Sequence, residues 1–598
     1  MSYTLLIVES PAKCAKIEKY LGNGYKCLAS FGHICELNGL ESINLDNNFE
    51  PKFTLMDNKK QQVSKLRSAI AKAKEVILAA DDDREGEAIA WHICKVFKLP
   101  VTTTKRIIFH EVTESAIKQA VKHPGVINMD TVRAQHARQI LDVLVGYRIS
   151  PILWEKISQN TKGGLSAGRC QTPALRLIYD NQKAIEDSPG RKVYNTTGYF
   201  THKNLPFVLD HDYEDEDKIV DFIESSVEHD HIYSCRDPRD VSKKQPSPFT
   251  TSGLQQSASN ELRISPKETM RLCQKLYEGG YITYMRTDSN TYSKVFLDSS
   301  KKFIEKTYGD TYVRDDLAEL AERGSVVAKK SKDKVDSSVD KSNAQEAHEA
   351  IRPTDISVIE VGEDIGVKEG KMYNLIRRNT LESCMALAKY RSVTACLTAV
   401  DDHSYRYTSE QVVFPGWKVV AGYEKESPDY AFLQNIKNGS VLNYKSIVSK
   451  VTLKDLKQHY TEAKLVQLLE KQGIGRPSTF SSLVDKIQER NYVKKENVKG
   501  KQIKCIDFEL TDNVISEIVN MREFGNEKDK MVLQPLGLLV IEFLIDNFDA
   551  MFKYEYTKTM EQCLDKIAKG EKVWHELCAE CLEQIEELSQ GLVEERIS

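Results

Sequence analysis

Long hydrophobic runs are missing from this sequence of 598 residues. The longest apolar run near the C-terminus, Leu536 to Ile541, is far shorter than the roughly 18 residues that a membrane-spanning helix needs. No basic stretch precedes the apolar segment Leu5 to Val8, and Glu9 follows it directly, which is not typical of a signal peptide. We therefore expect no membrane span and an intracellular protein.

Motifs for zinc and for ATP are also missing. The thirteen cysteines are scattered singly except for Cys578 and Cys581, and an odd, scattered set indicates free thiols. Cys578 and Cys581 lie in a charged stretch with a helical pattern and lack the second ligand pair of a zinc ribbon. No Gly-x4-Gly-Lys-Ser/Thr loop is present. We expect neither zinc nor ATP as a cofactor.

The sequence has no excess of basic residues either, since 84 Lys and Arg stand against 88 Asp and Glu for a net charge of -4. The total charge therefore gives no indication of a nucleic-acid partner. The distribution does, because residues 131–178 contain seven basic and two acidic residues, whereas residues 210–230 contain ten acids and one lysine. Such segregation is expected when one surface meets phosphate and another stays away from it.

Two strands followed by acidic residues are present in the N-terminal part. Leu5 to Val8 leads into Glu9, then Ser10 as a helix cap and Pro11 at the first helical position. Residues 75–80 form a second short apolar strand that ends at an acidic cluster and a helix. Strands that alternate with helices predict a parallel α/β sheet, in which functional groups gather at the carboxyl ends of the strands. Both acidic clusters are predicted to meet there.

The second cluster has the spacing of a metal site. Asp81, Asp83 and Glu85 alternate, so an extended segment points their side chains the same way and offers hard oxygen ligands to Mg²⁺. Glu9 completes the predicted set. A solvated acidic loop is the alternative, and it would be favoured if the cluster stood alone. The acid at the end of another strand favours the metal site.

The length predicts three to five domains. Residues 131–179 have a helical pattern, and two strand-like regions are interpreted as halves of one β-rich domain. Helices are predicted to dominate from about Lys450 onward, and residues 324–342 are predicted to form a mobile surface loop. The predicted domain segments are 1–128, 129–190, 191–245, 246–380, 381–445 and 446–598.

Several motifs resemble those of a known family. Ile7 to Lys13, Ser30 to Ile34 and Asp81 to Ile89 resemble the Toprim domain of type IA DNA topoisomerases. Primases, type II topoisomerases and some nucleases also carry this domain. Tyr277 to Ser289, however, resembles the segment around the nucleophile of the type IA enzymes, and it places the nucleophile at Tyr284. Further blocks match the bacterial topoisomerase I branch in the same order along most of the chain.

The residues around Tyr284 make a nucleophilic role reasonable on chemical grounds. A phenol has a pKa of about 10 and usually serves packing or hydrogen bonding. If Ile282 to Arg286 is extended, Tyr284 and Arg286 project to the same face and Met285 to the other. The permanent cation of Arg286 then holds phosphate beside the hydroxyl and favours phenolate.

The resemblance implies a multidomain α/β fold in which a Toprim domain, a helical domain in two halves, a β-rich hinge and a helical gate with Tyr284 form a four-domain torus. It implies an ATP-independent enzyme that cleaves one strand through a 5′-phosphotyrosine, passes a strand, reseals the break and so relaxes negatively supercoiled DNA. The implied catalytic residues are Tyr284, Arg286, Glu9, Lys13 and His348. The implied Mg²⁺ ligands are Glu9, Asp81, Asp83 and Glu85. The implied DNA-binding residues are His33, Arg138, Gln139, Asp142, Val143, Arg148, Ser166, Gly168, Arg169, Gln171, Arg476, Ser478 and Thr479. A monomer that acts on single-stranded regions of DNA is expected.

Departures from the family pattern are informative. Asp82 stands where relatives often have an apolar residue or proline, which alters the metal environment without removing a ligand. Gln139 and Val143 replace arginines that help bacterial relatives to prefer cytosine, so that preference is in doubt. The sequence stops soon after Cys581, so C-terminal zinc ribbons are not expected. Rival interpretations are another Toprim enzyme, a non-catalytic DNA-binding descendant, and a decatenating enzyme of the topoisomerase III branch, which residues 171–173 resemble.

Overall fold

The computed structural model describes residues 3–157, 164–321, 348–362, 365–425 and 427–594. The surface loop predicted at 324–342 lies outside these ranges, as do residues 343–347, which precede His348. Within the described ranges, no helix combines the length and the apolar character that spanning a membrane requires.

A parallel sheet of four strands forms the N-terminal unit, as the alternating pattern predicted. The strand order is β2-β1-β7-β8. The strands of this unit are β1 (Tyr3–Val8), β2 (Tyr25–Ala29), β3 (Cys35–Glu36), β4 (Ile43–Asn44), β5 (Glu50–Pro51), β6 (Thr54–Leu55), β7 (Ala73–Leu78) and β8 (Lys105–Arg106). Its helices are α1 (Cys14–Leu21), α2 (Lys60–Ile70), α3 (Arg84–Phe97) and α4 (Glu114–Lys122). The strand ends that precede both acidic clusters therefore lie side by side.

Two stretches of the chain build one helical unit. Its helices are α5 (Met129–Lys156), α6 (Gln171–Glu186), α13 (Glu462–Gln472), α14 (Phe480–Glu489), α15 (Pro535–Phe552), α16 (Tyr554–Ala568) and α17 (Trp574–Glu594). Buried side chains from all of them form one hydrophobic core, in which Leu141, Leu469 and Leu544 are fully buried. Cys578 and Cys581 pack into this core from α17, so their helical interpretation is confirmed.

A middle helical unit is formed by α8 (Thr251–Leu262), α9 (Pro266–Glu278), α10 (Lys294–Thr307) and α11 (Val367–Ser383). Part of its core is shared with the N-terminal unit. Leu6 and Val8 of β1 belong to the same buried cluster as Leu272, Tyr277 and Tyr284. The segment that carries Tyr284 is therefore packed directly on the parallel sheet.

The remaining strands form a large antiparallel sheet. Its order is β11-β13-β14-β10-β9-β15-β17-β18, with β12 also paired to β13. These strands are β9 (Arg191–Tyr199), β10 (Pro206–Leu209), β11 (Tyr233–Cys235), β12 (Arg239–Lys243), β13 (Ala388–Thr398), β14 (Ser404–Phe414), β15 (Ser446–Lys454), β17 (Lys501–Thr511) and β18 (Val514–Phe524). Helices α7 (Glu216–Ser225) and α12 (Pro428–Asn435) lie in the same part of the chain. The two strand-like regions of the sequence thus join in one sheet.

The prediction that helices dominate from Lys450 onward is wrong for residues 493–533. This stretch forms β17 and β18 of the large sheet and a separate pair, β16 (Val493–Val498) and β19 (Glu527–Leu533). Asp512 and Asn513 join β17 to β18, and both have positive φ angles of 52° and 62°. A two-residue turn of this kind fits the twist of a hairpin. Dense Lys and Glu residues masked the alternation of apolar residues that would have indicated these strands.

Candidate active site and DNA-binding groove

The two acidic segments follow β1 and β7 at the same edge of the parallel sheet. Ser10 accepts a hydrogen bond from the Ala12 amide after Glu9, as a helix cap does. Asp83 caps α3, because its Oδ1 accepts a hydrogen bond of 2.8 Å from the Gly86 amide. A Cβ atom at Gly86 would lie 2.1 Å from the carbonyl oxygen of Asp81, so this tight turn needs glycine.

The second carboxylate oxygen of Asp83 connects the acids to the middle helical unit. The Tyr284 hydroxyl donates to Asp83 Oδ2 at 2.5 Å, and Arg286 Nη1 donates to the same atom at 3.0 Å. The Tyr284 backbone amide also donates to the carbonyl oxygen of His110 at 2.7 Å. Tyr284 and Arg286 therefore project to one side, as predicted, while Met285 is buried in the core.

Burial controls the protonation of Tyr284. Its side chain is only 2% exposed, and this burial, together with the charge of Asp83, raises the pKa of the phenol well above its ordinary value. Arg286 opposes the shift, because its cation favours phenolate. In this arrangement the hydroxyl is a neutral donor that is held in place by a carboxylate.

Glu9 and Asp81 are adjacent acids in different electrostatic environments. Asp81 accepts a hydrogen bond from the fully buried Lys13. Burial, followed by the charges of Asp81 and Asp83, raises the pKa of Glu9 to about 7. Crowded carboxylates of this kind repel one another, and a divalent cation relieves that repulsion.

These acids fit Mg²⁺ by donor type, because carboxylate oxygens are the hard ligands that this ion prefers. Within the described ranges, the carboxylate oxygens of Glu9, Asp81 and Asp83 are not gathered so that one oxygen of each lies within 4.8 Å of the other two. Mg²⁺ commonly keeps several waters and takes only one or two carboxylates, so the acids need not all touch it.

Glu85 is not part of this group of acids, which corrects the extended interpretation of residues 81–85. Helix α3 begins at Arg84 and turns Glu85 away. Its two oxygens accept hydrogen bonds from Arg138 at 3.0 Å and from Gln135 at 3.1 Å, and His33 lies 2.9 Å away. Despite burial, these partners lower the pKa of Glu85 to about 2. Glu85 therefore contacts Gln135, Arg138 and His33 on the groove side of α3 and does not join Glu9, Asp81 and Asp83.

His348 contacts both the acidic loop and the tyrosine segment. Its Nε2 lies 3.1 Å from Asp82 Oδ2, and its Nδ1 lies 3.3 Å from the carbonyl oxygen of Arg286. The His348 ring also meets the edge of the Tyr284 ring at 5.5 Å between centroids. Burial acts to lower the pKa of His348, but the hydrogen bond and the charge of Asp82 raise it above the ordinary value.

A groove runs from Asp83 and Arg286 into the helical unit. Most of the DNA-binding residues that the resemblance implied lie along it. They are Arg138, Asp142, Ser166, Gly168, Arg169, Gln171, Arg476, Ser478 and Thr479. Four others are not among its lining residues. His33 contacts Glu85, Val143 packs on the helical core, Arg148 faces Glu586 at 3.8 Å, and Gln139 is half-buried.

The arginines of the groove are paired with acids, and two of these, Glu561 and Asp565, were not predicted from the sequence. Arg169 binds both Asp142 and Glu561, and Arg476 donates to Asp565 at 2.6 Å. Burial opposes ionisation of Glu561, yet the arginine charges hold its pKa well below its usual range. Glu561 lies on α16, at a helical spacing of four residues from Asp565, and this spacing was the available signal in the sequence.

A family model described as DNA topoisomerase matches residues 126–509, and a Toprim-domain model matches residues 4–112. The chain belongs to the type IA DNA topoisomerases. The structure of full-length topoisomerase I from Thermotoga maritima is similar, with 30% sequence identity and a TM-score of 0.77. That match covers 98% of this chain and 90% of the other.

The family confirms the resemblance read from the motifs, including the bacterial topoisomerase I branch and the multidomain α/β torus. A type IA topoisomerase cleaves one DNA strand, passes another through the break and reseals it without ATP, and this is the activity of the chain. Its Toprim domain is of a class that binds Mg²⁺. Primases and other Toprim enzymes do not account for the match over residues 126–509.

Proposed function

We propose that Tyr284 is the nucleophile of this topoisomerase and that its substrate is the single-stranded part of negatively supercoiled DNA. One observation carries the assignment. The Tyr284 hydroxyl meets Asp83, a residue 201 positions away, where two strands of the parallel sheet end and where Arg286 supplies a cation. The chain has 26 tyrosines, and Tyr284 is the one proposed because its hydroxyl lies beside an acid and an arginine that line the groove. A phenol that attacks phosphate requires this combination.

In the proposed reaction, the Tyr284 oxygen bonds to phosphorus and the bond from phosphorus to the 3′ oxygen breaks. The products are a 5′-phosphotyrosine and a 3′-hydroxyl. The phenolic proton leaves along the hydrogen bond to Asp83, and Glu9 gives a proton to the departing 3′ oxygen. Glu9 suits this role because its pKa of about 7 lets it carry a proton near neutral pH. Resealing reverses each transfer.

Positive groups hold the phosphate in this scheme. Arg286 is one-third exposed and faces the groove, so it can exchange Asp83 for a phosphoryl oxygen. Lys13 neutralises Asp81 from a fully buried position, and His348 orients the segment of Arg286 through its carbonyl oxygen. Glu9, Asp81 and Asp83 would hold Mg²⁺, which when bound neutralises charge on the phosphoryl oxygens. Glu85 supports Arg138 instead.

We also propose that residues 246–380 form the gate, residues 191–245 and 381–445 the hinge, and residues 129–190 and 446–598 the two halves of the DNA-binding domain, beside a Toprim domain at 1–128. The enzyme acts as a monomer, and it is located inside the cell together with its DNA substrate. Neither zinc nor a nucleotide enters the reaction.

The test replaces Tyr284 with phenylalanine and uses Tyr277→Phe as the matched control. Tyr277 is an equally buried neighbour whose ring lies 5.3 Å from that of Tyr284. Tyr284→Phe should abolish the covalent protein–DNA adduct trapped from a labelled single strand, while strand binding by gel shift stays within about threefold because the ring remains. Tyr277→Phe should keep the adduct. An adduct formed by Tyr284→Phe would assign the nucleophile elsewhere.

A further inference from the structure

A second group of ligand atoms lies beside the proposed active site. Asp82 Oδ2 is 2.7 Å from His110 Nε2 and 3.1 Å from His348 Nε2. One ligand atom from each of the three residues lies within 4.8 Å of the other two. Across the described part of the chain, no other trio of His, Cys, Asp or Glu side chains is gathered as closely.

The contacts of His348 place either a proton or a metal ion between its Nε2 and the Asp82 carboxylate. A carbonyl oxygen can only accept a hydrogen bond, so the contact of 3.3 Å with the Arg286 carbonyl places a hydrogen on His348 Nδ1. The other ring nitrogen, Nε2, faces the Asp82 carboxylate, to which it donates a hydrogen bond when it carries a proton. Two electron-rich atoms at 3.1 Å repel each other unless a proton or a metal ion lies between them. A metal-bound histidine commonly donates its second N–H to a backbone carbonyl in this way.

The spacing and the exposure suit a metal ion. Bonds of about 2.0–2.1 Å in a tetrahedral site place the ligand atoms roughly 3.3 Å apart. The two separations from Asp82 Oδ2, 2.7 Å and 3.1 Å, need to widen by about 0.6 Å and 0.2 Å to reach this value. The His348 side chain is buried, at 3% exposed, whereas the side chains of Asp82 and His110 are 22% and 29% exposed and have room to adjust. The same exposure gives an ion access to the site and leaves a position open for water.

The ligand set selects the class of metal. Two imidazoles and one carboxylate suit zinc and its neighbours in the first transition row, whereas Mg²⁺ prefers oxygen ligands alone. We propose that Asp82, His110 and His348 form a site for a divalent transition-metal ion of the zinc class, separate from the carboxylates that would hold Mg²⁺.

The position of the site indicates how a bound ion would affect opening of the gate. Asp82 and His110 belong to the Toprim domain, while His348 belongs to the proposed gate and contacts Tyr284 and Arg286. An ion bound to all three ties the gate to the Toprim domain across the surface that must separate when the cleaved strand opens. Bound Zn²⁺ therefore blocks strand passage but leaves cleavage intact. This consequence rests on the proposed function of the gate, whereas the binding site itself does not.

The binding test uses the full chain, Mg²⁺ at constant concentration, and Zn²⁺ and Co²⁺ as probes. Calorimetry with Zn²⁺ should show one site per chain, and the Co²⁺ spectrum should lack the thiolate charge-transfer band that ligation by Cys578 and Cys581 would give. Asp82→Asn and His110→Asn should each weaken binding by at least about 100-fold, since even lost outer contacts cost 10–100-fold. His123→Asn, at an exposed histidine outside the site, should bind as the unchanged chain does. Affinity that is the same in all four proteins, or no stoichiometric binding, overturns the site.

The functional test measures two steps on the same samples. Added Zn²⁺ should stop plasmid relaxation by the unchanged chain while adduct formation continues, and Asp82→Asn should relax plasmid at the same Zn²⁺ concentration. If Asp82→Asn is inhibited equally, Zn²⁺ acts at the Mg²⁺ acids and the locking effect is wrong. If relaxation is absent without any Zn²⁺, the proposed function fails, while the calorimetry still decides the site.

Discussion

At the scale of single residues, the proposed active site depends on one tight turn between β7 and α3. Asp81 and Asp83 take their positions from the turn that leads into α3, and Gly86 is the residue that permits this turn. The acids differ in their partners rather than in their chemistry. Asp81 meets Lys13, Asp82 meets two histidines, and Asp83 meets Tyr284.

Replacing Gly86 with alanine should therefore damage both stability and activity. The new Cβ would lie 2.1 Å from the Asp81 carbonyl oxygen, and the backbone must shift to relieve the clash. We expect a loss of about 1–3 kcal/mol in the free energy of unfolding and a strong loss of relaxation. Gly146→Ala in α5 is the control, because its Cβ meets nothing within 4 Å and should gain about 0.5–1 kcal/mol. Urea unfolding measures the stability of both variants. Equal free energies of unfolding for Gly86→Ala and Gly146→Ala would show that the turn does not need glycine.

His92 should make the protein sensitive to acid. Its side chain is 1% exposed, neither ring nitrogen has a hydrogen-bond partner, and burial followed by the nearby His33 and His136 lowers its pKa to about 3. The unfolded chain takes up this proton near pH 6.5, so the stabilisation is present above pH 6.5 and is lost as the pH falls toward 3. Between pH 6.5 and 5 the loss is about 2 kcal/mol.

The measurement is the free energy of unfolding of His92→Leu at pH 7 and pH 5. This variant should lose about 2 kcal/mol less than the unchanged chain over that interval, because it has no proton to take up. His123→Asn, at an exposed position, should follow the unchanged chain. An identical pH dependence for His92→Leu would mean that the ring already binds a proton in the folded protein.

At the scale of elements, the proposed gate is held by contacts of unequal strength. Toward the Toprim domain it has the shared core and the pair between Arg352 and Glu111, at 3.3 Å and largely buried. Toward the helical unit, α8 and α9 pack on α13 and α14, and the exposed Lys267 pairs with Asp485. Buried contacts resist opening more than exposed pairs, which water and salt screen.

Glu111→Gln should therefore speed gate opening. The substitution removes the charge that attracts Arg352, while Arg352 keeps its pair with Glu349 at 2.7 Å and is not left unsatisfied. A loss of about 1 kcal/mol in the closed state gives roughly fivefold faster opening. Lys267→Ala, which breaks an exposed pair, should change the rate less than twofold. Single-molecule extension of a cleaved strand under force measures the rate of gate opening in both variants. A larger effect of Lys267→Ala would show that the contacts with the helical unit, and not those with the Toprim domain, keep the gate closed.

At the scale of the whole molecule, the groove is not simply basic. Its lining contains seven arginine and lysine residues and six acids, and the acids hold several of the arginines in place. Phosphates that enter the groove must share these cations with carboxylates that are already present. The segregation of charge along the sequence is therefore balanced locally by acids from α16 and the Toprim domain.

Binding of a single strand should consequently depend on salt less steeply than the count of cations implies. Seven independent phosphate contacts would give a slope of about -5 in the logarithm of affinity against that of salt concentration. We expect a slope clearly shallower than this, because the paired carboxylates remain in the groove. Fluorescence anisotropy with a labelled oligonucleotide at several salt concentrations gives the slope. A value of -5 or steeper would show that the acids leave their arginines when DNA binds.

The sequence by itself determined the parallel sheet and the acids at its strand ends, because alternating strands and helices admit few topologies. It also determined the pairing of Tyr284 with Arg286, since a spacing of two positions fixes a common side in extended backbone. These are consequences of local chemistry and of periodicity. The family motifs added the prediction that Tyr284 is the nucleophile, and they indicated nine residues that line the groove.

Only the tertiary structure decided which partners these residues meet. Whether Glu85 faces the proposed Mg²⁺ ligands or Arg138 depends on where α3 begins, and the sequence left that boundary open. Within residues 493–533, β17 pairs with β15 of the large sheet and β18 pairs with β17, whereas β16 and β19 pair only with each other. The meeting of Asp82, His110 and His348 joins residues up to 266 positions apart, and no local pattern encodes such a contact. Long-range packing sets these distances, and it is a property of the assembled core.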